Sequence, residues 1–299
     1  MATVRVRGLD LYYEVLGSEP RTLFLNGSGA TIDTSRPLIS RLARDVGLVA
    51  YDQRGLGRSS PTEAPYSMAD LAGDAASLVE HLGWDRFSVV GVSFGGMVAQ
   101  ELAVTISERI ERLALLCTSP GGAGGSSYPL HTLSERSPTD RTAAYTKLID
   151  TRFTPEWLLD HPGDRAFMDM LGEQFKRPRS AETRQGEALQ MTARSAHDTF
   201  GRLDRITCPT LIAAGRFDGI APPENAAAMA KRIRRARLRE FEGGHLFLIQ
   251  DPTAFPVVSG FLADTAQLGP TRADSSPDTG RSGARVDGHR PWFGNLSRG

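Results

Sequence analysis

From Thr3 onward the chain carries short apolar runs whose rhythm changes once. Thr3 to Arg7 and Leu11 to Leu16 alternate or cluster as strands do around Gly8, which predicts an opening antiparallel hairpin. Beyond it, short apolar runs alternate with longer stretches whose apolar residues recur every three or four positions. Thr22 to Leu25, Leu48 to Tyr51, Phe87 to Val90 and Ile110 to Leu116 read as strands. Arg36 to Arg44, Met68 to Leu82 and Met97 to Ala103 read as helices; Leu71, Ala75, Leu78, Val79 and Leu82 share one face of the second. The rhythm resumes with Thr210 to Ala214 and Arg237 to Phe241 as strands, and Pro223 to Arg232 and Pro252 to Leu262 as helices. Alternation of this kind predicts an α/β fold: a mostly parallel, doubly wound sheet of about eight strands, covered on both faces.

Between Ser119 and Thr207 the strand signal stops. The segment opens on Gly121-Gly122-Ala123-Gly124-Gly125 and then turns helical, with Phe167, Met168, Met170, Leu171 and Phe175 on one face. The expected division is therefore residues 1–118 as the first part of the core, 119–207 as an inserted helical cap, 208–265 as the rest of the core, and 266–299 as a disordered tail of Gly, Ser, Pro, Asp and Arg.

Composition narrows the partners. With 299 residues, 40% of them hydrophobic, the chain can bury a full core. Its 35 basic and 35 acidic side chains cancel, so no net field draws in nucleic acid or an anionic membrane, and neither is expected. The N-terminus alternates Val and Arg, unlike a signal peptide, and no apolar run reaches membrane-spanning length, which reads as a cytoplasmic protein. Cys117 and Cys208 share no ligand spacing with histidine; they read as small core residues near strand ends, and neither metal nor cofactor is expected. The sequence carries no mark of an oligomeric state.

Candidate chemistry begins at Gly91-Val92-Ser93-Phe94-Gly95. This fits G-x-S-x-G, in which the serine occupies a strained strand-to-helix turn and the glycines let neighbouring backbone approach closely. Val89 and Val90 before it and an apolar helix after it supply the context the motif requires. A serine hydroxyl is a poor nucleophile near neutral pH, so it needs a base within hydrogen-bond reach and a carboxylate to orient that base. Of the six histidines, only His245 follows a predicted core strand, on the loop Glu242-Gly243-Gly244. The chain order of this architecture is serine, acid, histidine. Asp218 fits it, directly after the strand Leu211 to Ala214, whereas Asp204 precedes that strand and belongs to the opposite edge. Acyl transfer also needs N–H donors for the oxyanion. The amide of Phe94 is one, and that of Ser28, in the loop Leu25-Asn26-Gly27-Ser28-Gly29, is the other. Asn26, Gly27 and Leu246 flank these groups; with Trp157, Phe167, Met170 and Phe175 of the cap they are expected to line a pocket for a small-molecule substrate.

Gly27-Ser28-Gly29 after a strand, with Asp52 ending the next one, imitates a dinucleotide fingerprint. Ile32 stands where the third glycine belongs, and a hairpin precedes the strand, so that reading is set aside.

On these residues, and on Asp52-Gln53-Arg54-Gly55-Leu56-Gly57-Arg58-Ser59, which looks like the turn D-x-R-G-x-G-x-S, the sequence resembles the α/β-hydrolase superfamily from Thr3 to Asp264. The resemblance is to its compact branch of esterases, enol-lactonases, cofactor-free haloperoxidases and carbon-carbon bond hydrolases. It implies a serine hydrolase acting on a small-molecule carboxylic ester or lactone through an acyl-enzyme on Ser93, with His245 and Asp218 and without a cofactor. Carbon-carbon cleavage of ring-fission diketones, and a non-catalytic ligand receptor on the same fold, are the alternatives. The usual His-Gly of the oxyanion loop is Asn26-Gly27 here. A serine at position 93 argues against the dehalogenases and epoxide hydrolases of this fold, whose nucleophile is an aspartate.

Overall fold

The opening hairpin forms as β1 (Ala2–Val6) and β2 (Leu9–Leu16), antiparallel around Gly8, whose φ of +82° suits a residue without a Cβ. The computed structural model describes residues 2–176 and 178–264, without the side chains of residues 134, 135, 138 and 174–176. The expected tail at 266–299 and the side chain of Phe175 lie outside the described residues.

After the hairpin come β3 (Arg21–Leu25), α1 (Arg36–Leu42), β4 (Gly47–Tyr51), α2 (Met68–His81), β5 (Phe87–Val92), α3 (Phe94–Ile106) and β6 (Ile110–Leu116). Four helices follow, α4 (Pro138–Ile149), α5 (Pro155–Asp160), α6 (Pro162–Lys176) and α7 (Ala181–Ser195). The chain then closes with β7 (Thr210–Gly215), α8 (Pro223–Arg232), β8 (Ala236–Phe241), α9 (Phe247–Gln250) and α10 (Ala254–Leu262). One eight-stranded sheet results, in the order β1-β2-β4-β3-β5-β6-β7-β8. β2 meets both β1 and β4 antiparallel, and every other pairing is parallel.

The central strands are mostly apolar because both faces are covered. Leu23, Leu25, Val89, Leu113, Leu115 and Ile212 face α2, α3 and α8, while Phe24, Val90, Ala114, Leu116 and Leu211 face α1 and α10. At about 1.5–3 kcal/mol for each large side chain taken from water, these two clusters are the main favourable term in the fold. α3 begins at Phe94, three residues earlier than the apolar spacing predicts. Gly95 and Gly96, weak helix formers, are kept there by close packing: a Cβ on Gly95 would stand 2.1 Å from Leu25 O, and one on Gly96 2.6 Å from Thr118 Cβ. Crossovers of this handed, doubly wound type leave the carboxyl ends of the parallel strands on one rim, where ligands of open α/β sheets bind.

Candidate active site

Three loops meet at that rim. Ser93 connects β5 to α3 with φ +54° and ψ −114°, a region that L-residues seldom adopt. The turn is held from every side: Ser93 N–H donates to Leu116 O at 2.8 Å, and Ser93 O accepts from Gly96 N–H at 2.9 Å and from Thr118 Oγ1 at 2.8 Å. A Cβ on Gly91 would lie 2.4 Å from Gly95 O, so the glycine before the serine is a packing requirement.

Asp218 follows β7 and His245 follows β8. His245 Nδ1 lies 2.8 Å from Asp218 Oδ2 and 3.0 Å from Oδ1, and its Nε2 lies 3.0 Å from Ser93 Oγ. Asp218 Oδ1 also accepts from the N–H groups of Ile220 and Ala221, each at 2.8 Å, which satisfies a carboxylate that is almost wholly buried. The imidazole loop is fixed by His245 N–H donating to Ile149 O at 2.6 Å and Gly244 N–H donating to Gln250 Oε1 at 2.9 Å. A hydroxyl, an imidazole and a carboxylate in this order can relay a proton away from the hydroxyl oxygen.

The loop after β3 lies beside the serine: a Cβ on Gly27 would stand 3.8 Å from Ser93 Cβ. Its turn is closed by Ala30 N–H donating to Gly27 O at 3.2 Å, and the bonds of α3 start at the N–H of Gly96. The N–H groups of Ser28 and Phe94 take part in neither. Among the described residues neither N–H has a hydrogen-bond acceptor.

Of the expected pocket residues, Leu246 and Trp157 pack with Ile149, Phe153 and Ile220, an apolar cluster bordered by the Asp218 and His245 loops. Trp157 is also tied down on its polar side, its indole N–H donating to Asp164 Oδ2 at 2.8 Å and its ring stacking on His161. On α6 it is Met168 that joins this cluster. Phe167 is half-buried outside it, and Met170 is 42% exposed. Met168 of the expected stripe thus packs inward while Met170 turns outward. Asn26 is buried at the foot of the oxyanion loop.

The turn from Asp52 to Ser59 braces the site without touching the serine. Buried Asp52, its carboxyl pushed up by desolvation, accepts from Ile32 N–H at 2.7 Å and Arg58 N–H at 2.9 Å, tying down the far end of the oxyanion loop. Gln190 escaped sequence reasoning; it hydrogen-bonds Gln53, which that reasoning met only as part of the turn from Asp52 to Ser59, and an amide that serves by accepting and donating inside the fold carries no motif of its own. Cys117 and Cys208 are free and buried, as expected; burial, with Asp218 nearby, pushes the Cys117 thiol well up and keeps it protonated. Among the described residues, no group of histidine, cysteine and carboxylate side chains could hold a metal ion.

A family model described as alpha/beta hydrolase fold matches residues 20–252. The chain is 31% identical over 246 residues to a poly(3-hydroxyalkanoate) depolymerase of Ectopseudomonas oleovorans, covering 82% of this chain and 85% of that one. It is 26% identical over 260 residues to 3-oxoadipate enol-lactonase 2 of Acinetobacter baylyi, covering 85% and 92% of the two chains. The crystal structure of an enol-lactonase from Burkholderia xenovorans LB400 superimposes with a TM-score of 0.71 at 24% identity, over 87% of this chain and 99% of the other.

Proposed function

This chain belongs to the alpha/beta hydrolase family and is a hydrolase, and from that premise we propose that it cleaves a small-molecule carboxylic ester or lactone through an acyl-enzyme formed on Ser93. The observation that carries this reading is the unbroken relay from Asp218 Oδ2 to His245 Nδ1, 2.8 Å, and from His245 Nε2 to Ser93 Oγ, 3.0 Å. Asp218 keeps the imidazole proton on Nδ1, so Nε2 is the acceptor. As Ser93 Oγ bonds to the acyl carbon, its proton passes to Nε2 and the carbonyl π pair moves onto oxygen, where the N–H groups of Ser28 and Phe94 receive it. Collapse of this intermediate breaks the bond to the alcohol oxygen, which takes the proton from Nε2. Water then gives a proton to Nε2 as its oxygen bonds to the acyl carbon; the second collapse frees the acid and returns the proton to Ser93 Oγ. No cofactor enters any step.

The cluster of Ile149, Phe153 and Ile220 with Trp157 and Leu246 supports an apolar acyl or alcohol group beside the relay. In this reading residues 119–207 act as a cap over a core made of 1–118 and 208–265. The hydrolase names of the relatives favour turnover over a receptor role. A cytoplasmic location belongs to the same proposal, supported by two buried, unpaired cysteines; no helix among the described residues is long and apolar enough to cross a membrane.

The test is release of p-nitrophenol from a short-chain p-nitrophenyl ester, with a panel of lactones and ring-fission diketones alongside. Ser93→Ala is expected to lower turnover at least about 10³-fold with an unchanged circular dichroism spectrum. Wild-type turnover in that variant would remove the proposal.

A further inference from the structure

The oxyanion loop owes its shape to groups outside it. Asn26 O accepts from Gln53 Nε2 at 3.2 Å, Gln53 Oε1 accepts from Gln190 Nε2 at 2.7 Å, and Gln190 Oε1 accepts from Gly29 N–H at 2.8 Å. The path leaves the loop at Asn26, passes through the turn after β4, crosses to α7 and re-enters the loop at Gly29, so Ser28 lies between its two ends. Both glutamines are out of water, Gln53 at 1% exposure and Gln190 at 0%. Each must donate from its amide nitrogen and accept at its amide oxygen at once, a task no carboxylate and no apolar side chain can perform.

Between Asn26 and Gly29 the loop gains no hydrogen bond from the side chain of Asn26. Asn26 stands where the family usually has histidine, and among the described residues neither its Oδ1 nor its Nδ2 has a hydrogen-bond partner. α7 in turn is seated before it reaches the loop. One turn ahead of Gln190, on the same face, Gly186 passes Gly55 so closely that a Cβ there would stand 2.0 Å from Gly55 O. Gly55 belongs to the turn that carries Gln53, so the height of α7 over that turn and the bond to Gly29 are set together.

We infer that Gln190 is a positioning residue of the inserted segment: through Gln53 and Gly29 it fixes the oxyanion loop, and so couples the seating of α7 to the aim of the Ser28 N–H. This rests on the reading of Ser93 and the Ser28 amide given above. The N–H matters most when negative charge has developed on the substrate oxygen, so loosening the loop acts on kcat more than on KM.

The experiment compares the wild type with Gln190→Ala, Gln190→Met, Gln53→Ala and the Gln53→Ala/Gln190→Ala double variant. Rates are normalised to active sites titrated with a p-nitrophenyl phosphonate, so a merely less stable variant shows no change per site. Gln190→Met retains the volume and the helix propensity should the alanine variant fail to fold. Each Gln190 variant is expected to lower kcat about 10- to 100-fold, somewhat less than outright loss of an oxyanion donor, with KM within about twofold. The affinity for an aryl trifluoromethyl ketone, which forms a tetrahedral adduct on serine, should fall by the same factor. Because the two amides act as one unit, the double variant should match the weaker single variant within about threefold. Unchanged kcat per site and unchanged ketone affinity in the Gln190 variants, or effects of the two glutamines that multiply, would overturn the inference while leaving the Ser93 reading intact. Wild-type turnover in Ser93→Ala would remove both.

Discussion

Ser93 is held in a backbone conformation that glycine enters freely and serine does not, with φ at +54°. Such strain costs of order 1–3 kcal/mol and persists only where the surroundings over-determine it, as the bonds from Leu116, Gly96 and Thr118 do here. Replacing the serine tests this directly. Ser93→Ala and Ser93→Gly both lose the hydroxyl and its contact with His245, but only glycine relaxes the turn. The glycine variant is therefore expected to be more stable than the alanine variant by about 1 kcal/mol, after allowing for its more flexible unfolded chain. Denaturant titration of the two measures the difference, and equal midpoints would mean that the turn is unstrained. At this scale the sequence was informative where chemistry demands one residue type: serine between glycines, an acid after one strand, a histidine after the next. It was silent on Gln190: Gly186, Leu189 and Ala193 mark the buried face of the helix, but helical spacing does not say which polar group is bonded there.

Elements were legible in proportion to how their faces are used. Central strands buried on both sides read as mostly apolar runs, whereas the edge strand β8 carries Arg237, Arg239 and Glu240; the sheet's eight strands lie where strands are expected. α6 was not legible in the same way, because a helical stripe says that one side packs without saying on what; Met168 found the cluster and Met170 found solvent. The end of α7 carries a testable consequence of burial. His197, just past that helix, is buried, and desolvation holds its pKa down at about 4, against the opposing pull of Glu101, the Ser119 main chain and Asp198 and with Arg202 adding to the depression. In the unfolded chain the imidazole takes up a proton near its ordinary 6.5. Between these values the unfolded state binds more protons, so stability falls as pH drops from about 6.5 to about 4, by up to about 3 kcal/mol from this group. Above that window its contribution does not change with pH. Unfolding free energies measured across the window should fall less steeply in His197→Gln than in the wild type. Parallel slopes would show that the imidazole protonates in the folded state.

Across the whole molecule, the inserted segment does two different things. Its inner stretches are tied to the rim by main-chain bonds: Tyr128 N–H donates to Ile220 O at 2.7 Å, Gly219 N–H to Leu148 O at 3.0 Å, and Thr151 N–H to Phe217 O at 2.9 Å. With the bonds from His245 to Ile149 and from Gly29 to Gln190, these make the acid, base and oxyanion loops depend on the insertion for their own hydrogen bonding. Among the described residues the outer stretch has no such ties. α5 buries none of its residues, and none of the described side chains of α6 is buried, whereas α3 is buried continuously from Phe94 to Val104. Opening free energy follows the apolar surface a segment would expose, so α5 and α6 are expected to open on their own while residues 149–154 and 186–199 open only with the rim. Hydrogen exchange followed by mass spectrometry checks this: amides of α5 and α6 should be at least about 100-fold less protected than those of α3, with the inner stretches closer to α3. Protection of α6 equal to that of α3 would mean that the insertion moves as one body. The expected division instead lets the outer helices admit a substrate while the rim keeps its geometry, because among the described residues they touch the Asp218 and His245 loops through apolar packing and not through hydrogen bonds.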